Sequence, residues 1–196
     1  MVEITNIVGS GDLGVELDVG AIATDLPVLH TEYEPDNYHG LYARLVEDGP
    51  LITLYRSGKY IITGSSSFEE LHETDRGILD ALMRLGIIDS GVETGFTVQN
   101  VVCTGELHRS VNLNALSVGL GFESVEYEPE QFPGLIHRPA HFPAVLLVFA
   151  NGNVVITGAA DVETAEEAFD YIQTRITHFR DPSLSAAAFF DVTVNF

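Results

Sequence analysis

Residues 33–44 read YEPDNYHGLYAR, and residues 127–138 read YEPEQFPGLIHR. The second stretch begins 94 positions after the first, and six of the twelve positions are identical. The shared residues include one proline, which restricts the backbone, and one glycine, which permits conformations closed to other residues. We therefore expect the two stretches to follow the same backbone path, and they decide the fold as copies of one unit.

The same offset relates residues on both sides of these stretches, without a gap. The matched positions include Asn6 with Asn100, Val8 with Val102, Gly58 with Gly152, and Ile62-Thr63-Gly64 with Ile156-Thr157-Gly158. A constant offset over so long a span indicates a true duplication. Two copies predict a pseudo-two-fold molecule with equivalent surfaces. Such surfaces suit a partner that is itself nearly two-fold symmetric, either duplex DNA or a homodimeric protein.

The duplication divides the chain into predicted domains. Residues 1–94 form the first repeat and residues 95–182 the second. The remaining residues, 183–196, form an apolar C-terminal tail outside the repeat, for which the sequence indicates no role.

Local patterns predict the elements of one unit. A β-rich run at residues 4–10 precedes an amphipathic run at residues 17–26, in which Asp18 is the predicted N-cap. Strand-like runs follow, and Ser57-Gly58 and Asn151-Gly152 mark equivalent hairpin turns. Ser67, with glutamate three positions later, forms the capping box of a long helix. This order predicts an α+β fold with helices on one face of an antiparallel sheet, which leaves the other face for a ligand.

The composition is acidic, with 29 Asp and Glu residues, 9 Lys and Arg residues and a net charge of −20. Such a charge repels nucleic acid in dilute buffer and argues against a DNA-binding protein. The alternative is adaptation to a salt-rich cytoplasm, because the Debye length falls to about 3 Å in molar salt. Lys59 is the only lysine, and this lysine-poor composition favours a halophilic archaeon. The charge therefore does not decide whether the chain binds DNA.

Other classes of function find little support. There is no apolar run of membrane-span length and no signal-peptide pattern, so we expect a cytoplasmic protein. Cys103 is the only cysteine, which rules out an internal disulfide and a cysteine zinc site. The seven histidines show no metal-ligand spacing, and no phosphate loop or nucleophile elbow is present. We expect no metal, no cofactor and no enzymatic activity.

Several segments of the second copy resemble the signature segments of one family. They are Val98–Val102 (VQNVV), residues 127–138, Leu146–Phe149 (LLVF) and Val154–Ala159 (VVITGA). In order and spacing these are similar to TATA-box-binding proteins, and the first copy shows the same pattern more loosely. The resemblance covers about residues 4–180 and indicates an archaeal, haloarchaeal and somewhat divergent paralogue. It implies a ten-stranded antiparallel saddle, with helices on the convex face and the DNA minor groove against the concave face.

The resemblance also implies residue roles. Eight residues occupy the positions that contact base edges: Asn6, Asn100, Thr63, Thr157, Val8, Val102, Ile61 and Val155. An asparagine amide suits an A·T minor groove, which displays only acceptors, and the apolar residues exclude the guanine amino group.

Two further groups complete the implied DNA site. Tyr38 with Tyr55, and Phe132 with Phe149, occupy the positions of the aromatic wedges that kink the duplex, for which this family is the standard example. The positions that meet phosphates are held by Arg44, Arg56, Lys59 and Arg138.

The resemblance implies protein partners as well. Glu128, Glu130 and Gln131 lie in the loop by which the family contacts transcription factor B, and through that factor RNA polymerase. The alternative interpretation of these residues is a solvated acidic turn. The sequence leaves open whether the free protein forms a homodimer.

Some positions depart from the family pattern. Tyrosines replace the first pair of phenylalanines, His39 replaces a proline, and Asn153 stands where a lysine is usual. Two functions are therefore compared: a general transcription initiation factor that binds and bends A/T-rich promoter DNA, and a related saddle that has lost sequence-specific DNA binding and acts as a protein-interaction module.

Overall fold

The computed structural model describes residues 1–178, backbone only for His178, and contains ten strands and four helices in that part of the chain. The first seven elements are β1 (Glu3–Asp12), α1 (Val19–Asp25), β2 (His30–Glu32), β3 (Gly40–Arg44), β4 (Leu51–Tyr55), β5 (Lys59–Ser65) and α2 (Phe68–Arg84). The next seven are β6 (Thr97–Glu106), α3 (Leu113–Leu120), β7 (Val125–Glu126), β8 (Leu135–His137), β9 (Val145–Val148), β10 (Asn153–Ala159) and α4 (Val162–His178). The second seven repeat the first in kind and order, as the duplication predicts.

The chain packs into two compact units. The first unit is Ile4–Val101, and the second unit combines Met1–Glu3 with the chain from Val102 onward. Strand order is β2-β3-β4-β5-β1 in the first copy of the fold and β6-β10-β9-β8-β7 in the second. The predicted α+β class with a ten-stranded antiparallel sheet is confirmed. The repeat boundaries 1–94 and 95–182 stay predictions, and the predicted tail 183–196 lies outside the described residues.

The sheet has two unlike faces, which β5 illustrates. In β5, Tyr60 and Ile62 are buried, whereas Ile61 and Thr63 between them are half-buried. Successive side chains of a strand point to opposite faces, so Tyr60 and Ile62 share the face against which α2 packs. The opposite face, which carries Ile61 and Thr63, is called the open face below.

The helices begin where the local signals predict. The Asp18 carboxylate accepts a hydrogen bond from the Ala21 amide at 3.1 Å, and the Ser67 hydroxyl accepts one from the Glu70 amide at 3.1 Å. The capping box differs in one detail, because the Glu70 carboxylate accepts from the amide and hydroxyl of Ser66 rather than from Ser67. It still satisfies a backbone donor ahead of the helix.

Glycines fix two features of β5. Gly58 has φ +87° in the β4–β5 turn, and a Cβ there would collide with the Val15 carbonyl oxygen. Gly64 has φ +93°, and the β1–β5 register shifts beside it: Ile7 pairs with Ser65, but Gly9 pairs with Ile62. One extra residue on β5 makes a β-bulge, which breaks the regular ladder of backbone hydrogen bonds.

Candidate nucleic-acid interface

The bulge orients the asparagine of the first copy. Asn6 on β1 is half-exposed on the open face, and its Oδ1 accepts a hydrogen bond of 2.7 Å from the Gly64 amide. Because Oδ1 is used in this way, Nδ2 is the atom that remains to donate to a ligand. Asn100 on β6 is half-exposed at the equivalent position of the second copy. Gly158, the counterpart of Gly64, has the same left-handed backbone conformation, with φ +84°.

The other base-edge candidates lie beside the asparagines. Val8 and Val102 are half-buried two residues further along the same strands as Asn6 and Asn100. The remaining four candidates are half-buried in β5 and β10, and they are Ile61, Thr63, Val155 and Thr157. The open face of each copy of the fold thus carries one asparagine, one threonine and two aliphatic side chains at equivalent positions.

The phenylalanine pair of the second unit lies on the open face above a glycine. The Phe132 and Phe149 ring centroids are 5.8 Å apart, and the ring planes meet at 65° in an edge-to-face contact. A Cβ on Gly134 would come within 2.7 Å of the Phe132 ring and 3.0 Å of the Phe149 ring. Only glycine leaves room for both rings at this position.

The first unit replaces this pair with three tyrosines. The Tyr38 and Tyr55 hydroxyl oxygens are 2.8 Å apart and share a hydrogen bond. The Tyr38 ring also stacks on Tyr42, with centroids 4.8 Å apart and an interplanar angle of 12°. Tyr42 was missed as a site residue from the sequence, although its alignment with Ile136 marked a change from an apolar side chain to one with a hydroxyl group.

The Tyr42 and Tyr55 hydroxyls stay protonated at neutral pH. The hydrogen bond with Tyr38, followed by burial, raises the pKa of Tyr55 to about 12. Burial and then the hydrogen bond with Tyr38 also raise the pKa of Tyr42. The first unit therefore presents neutral hydroxyl groups, which can both donate and accept hydrogen bonds.

A shared turn places one wedge residue of each pair. The Glu128 carbonyl accepts hydrogen bonds of 2.9 Å from the Gln131 and Phe132 amides, and its carboxylate accepts one from the Gln131 side chain. The Glu34 carbonyl accepts the equivalent bond from the Tyr38 amide at 2.9 Å. Glu128, Glu130 and Gln131 are exposed, and the backbone role of this turn is to position Phe132.

The four cationic candidates fall into two classes. The Arg44 guanidinium donates to the Gly49 carbonyl, and Arg138 forms an ion pair of 2.7 Å with Glu126. Arg56 and Lys59 are exposed around the β4–β5 turn. Arg44 and Arg138 would therefore have to leave their partners within the protein in order to contact a phosphate.

Two kinds of feature are absent from the described residues. Among them, no group of three or more His, Cys, Asp or Glu side chains could hold a metal ion. In the same part of the chain, no helix is both long and apolar enough to cross a membrane.

Comparisons with known proteins agree with this geometry. The family model for transcription factor TFIID, or TATA-binding protein, matches residues 1–85 and 95–179. TATA-box-binding protein C of Halobacterium salinarum is 63% identical over 175 residues, which are 89% of this chain and 97% of that protein. TATA-box-binding protein 2 of Haloferax volcanii is 43% identical over 89% of this chain and 92% of that protein. The solved structure of the Methanococcus jannaschii TBP has a TM-score of 0.75 and 36% identity, with 90% of this chain and 98% of that chain covered.

Proposed function

Because the chain belongs to the TATA-box-binding protein family, we propose that it is a general archaeal transcription initiation factor. It binds an A/T-rich promoter element in the minor groove, bends the duplex, and recruits transcription factor B and, through that factor, RNA polymerase. The observation that carries the proposal is the repeated set of one asparagine, one threonine and two aliphatic side chains on the open face of each copy of the fold. As such a factor it performs no chemistry and works in the cytoplasm of an archaeon, beside the chromosome.

Base reading follows from the groups that this face presents. The minor groove of an A·T pair displays only acceptors, adenine N3 and thymine O2. Asn6 donates a hydrogen bond to such an acceptor from Nδ2, since its Oδ1 already accepts one from the Gly64 amide. Val8 and Ile61 offer no acceptor to a guanine amino group, which would lose its hydration without replacement at a cost of about 1–3 kcal/mol.

Bending follows from the aromatic pairs. An apolar ring that enters between two base pairs unstacks them and kinks the duplex toward the major groove. Phe132 and Phe149 are both half-buried on the open face and already in contact with each other, so little rearrangement is needed before they enter a step. Tyr38 and Tyr55 take the same role in the first unit, with their shared hydrogen bond keeping the hydroxyls satisfied.

Recruitment of transcription factor B rests on the acidic turn at residues 128–131. Glu128 and Glu130 are exposed, and a basic partner surface complements them.

Arg138 supplies a phosphate contact once its exposed ion pair with Glu126 opens, and exposed pairs of this kind contribute little, about 0–1 kcal/mol.

DNA binding is tested by fluorescence anisotropy in molar KCl with two duplexes of equal composition. One contains an uninterrupted A/T-rich element, and in the other the same base pairs are scrambled so that G·C pairs interrupt it. We expect the wild type to prefer the duplex with the uninterrupted A/T-rich element. The double substitution Asn6→Ala with Asn100→Ala should weaken that binding by about tenfold or more, since each base-edge hydrogen bond lost costs about 1 kcal/mol.

The matched control is Asn114→Ala, because Asn114 is exposed on α3 and not on the open face. Equal affinity of the wild type for both duplexes would contradict sequence-specific binding. That result would favour the alternative function, a family member that has become a protein-interaction module.

A further inference from the structure

The open faces of the two copies differ in one contiguous patch. In the first unit, four neighbouring side chains end in hydroxyl groups: Tyr38, Tyr42, Thr53 and Tyr55, together called the hydroxyl cluster. The residues 94 positions later are Phe132, Ile136, Leu147 and Phe149, and all four are pure hydrocarbon. Every position of the patch has changed in the same chemical direction, which a scatter of unrelated substitutions would not produce.

Strand pairing shows that the hydroxyl cluster is contiguous, with its three tyrosines at least partly exposed and Thr53 buried. Tyr42 on β3 is the direct cross-strand partner of Thr53 on β4, and Tyr55 is the partner of Gly40. Tyr38 covers them, stacked on Tyr42 at 4.8 Å and hydrogen-bonded to Tyr55 at 2.8 Å. The hydrocarbon counterpart is built in the same way, because Ile136 pairs with Leu147 across β8 and β9.

The two patches also stand in the same place relative to the base-edge residues. Thr53 is the cross-strand partner of Ile61, and Leu147 is the partner of Val155. Tyr42 and Ile136 therefore lie two strands from β5 and β10, next to the aromatic pairs. Within each copy, a duplex that touches the base-edge residue, Ile61 or Val155, also reaches the patch beside it.

The chemical difference bears on guanine. A G·C pair differs from an A·T pair in the minor groove by the guanine N2 amino group, which is a donor. A hydrocarbon surface leaves that donor unpaired, whereas a tyrosine hydroxyl accepts a hydrogen bond from it. The same hydroxyl donates to adenine N3 or thymine O2, so it does not penalise A·T pairs.

On the premise that the open face binds the minor groove as proposed above, we propose that the hydroxyl cluster makes one half of the binding site permissive for G·C pairs. The half-site under the first unit accepts G·C or A·T, with Tyr42 as the central specificity-determining residue. The half-site under the second unit accepts only A·T. A promoter element with G·C pairs in one half is then bound in one orientation.

The test uses palindromic A/T duplexes into which guanine is placed in one half, or symmetrically in both halves, at each position in turn. Matched duplexes carry inosine in place of guanine, since inosine lacks only the N2 amino group. The measured quantity is the affinity ratio of the inosine duplex to the guanine duplex, in molar KCl. A palindrome allows either orientation, so no label of the protein's direction is needed.

For the wild type, guanine in one half should cost no more than about twofold, because the protein can place that half under the first unit. Guanine in both halves should cost about tenfold, the usual scale of one unfavourable base pair. The variant Y38F/Y42F/T53V/Y55F removes the four hydroxyls with little change of shape, and in it guanine in one half should already cost about tenfold.

A reciprocal variant, F132Y/I136Y/F149Y, introduces hydroxyls in the second unit and should reduce the cost of guanine in both halves to about twofold. If the fourfold variant does not fold, as judged by circular dichroism, Y42F alone should shift the one-half ratio in the same direction. A tenfold cost of guanine in one half for the wild type overturns the proposal, as does an unchanged ratio in these variants. A wild type that binds A/T and scrambled duplexes equally overturns the proposed function instead.

Discussion

At the scale of single residues, the two copies fill the space beside equivalent glycines, Gly11 and Gly105, with different side chains. In the first unit, the Tyr60 ring fills the space beside Gly11, and its hydroxyl donates to the Asp75 carboxylate at 2.5 Å. In the second unit, the residue equivalent to Tyr60 is the small Val154. The space beside Gly105 is filled instead by Phe169 of α4, the residue equivalent to Asp75.

This exchange shows where residue-level prediction stops. The offset of 94 aligns Tyr60 with Val154 and Asp75 with Phe169 as two separate differences. Only the packing of helix on sheet reveals that they compensate each other, because a sequence alignment carries no information on contacts between elements. Tyr42 was missed for the same reason, since its importance lies in its stacking against Tyr38.

The aromatic wedges give a prediction at this scale. Phe149→Ala removes a whole ring from the second pair, whereas Tyr55→Phe removes only a hydroxyl and keeps the ring. Because a proposed wedge acts by inserting its ring into a base step, Phe149→Ala should reduce the bend angle more than Tyr55→Phe does. Fluorescence resonance energy transfer between dyes at the duplex ends measures the angle in the bound complex.

The control for this comparison is Phe122→Ala, because Phe122 is 74% exposed just after α3. Its bend angle should equal that of the wild type. A larger loss of bending in Tyr55→Phe than in Phe149→Ala would contradict the assignment of these pairs as wedges.

At the scale of elements, local signals predicted what local interactions form. The N-caps at Asp18 and Ser67 and the turn at Gly58 are formed by residues within four positions of one another. β2 and β7 were not identified individually, because strands of three and two residues contain too little alternation to be recognised. Their place at the ends of the strand order is fixed by pairing with β3 and β8.

The packing of β8 against α4 contains a buried histidine that the sequence did not single out. His137 is 1% exposed, its ring stacks on Tyr171 at 5.9 Å, and its Nδ1 donates to the Ser124 carbonyl at 3.1 Å. Nε2 is buried without a hydrogen-bond partner. Burial lowers the pKa of His137, Arg175 lowers it further, and the bond to Ser124 opposes both effects.

This histidine should make stability depend on pH. Its pKa in the folded chain lies below the value of about 6.5 for an unfolded chain, so the unfolded state binds the proton more readily. The free energy of unfolding should therefore fall as the pH drops from about 7 to about 5. His137→Phe, which keeps a ring against Tyr171, should show a smaller fall in urea unfolding over the same range.

A matched control is His108→Phe, since the His108 side chain is 84% exposed. This variant should keep the pH dependence of the wild type. If His137→Phe also keeps it, the buried ring is not the source of the effect.

At the scale of the whole molecule, the duplication predicted the architecture and the charge predicted nothing about the ligand. An offset that holds from Asn6 to Gly64 required two copies of one unit, whatever each copy binds. A net charge of −20 suits a protein that avoids DNA in dilute buffer and one that binds it in concentrated salt. The two cases differ only in the solution around the molecule, which a sequence does not record.

The net charge therefore gives a prediction about salt. Binding to DNA normally weakens as salt rises, because each phosphate contact releases counterions. In the proposed complex at most four cations, Arg44, Arg56, Lys59 and Arg138, meet the phosphates, whereas the whole molecule repels the phosphates until salt screens its charge. Affinity for an A/T-rich duplex should therefore rise as KCl increases from about 0.2 M to about 2 M, as measured by anisotropy.

Two single substitutions separate the net charge from local pairing. Glu126→Gln releases Arg138 from its ion pair, and Glu163→Gln removes an equal charge from the first turn of α4. Both should strengthen binding at about 0.2 M KCl, because each makes the protein less negative. Glu126→Gln should strengthen it more, because it also frees the Arg138 guanidinium for a phosphate. Affinity of the wild type that falls steadily with KCl would show that phosphate contacts, and not the screening of this acidic surface, govern binding.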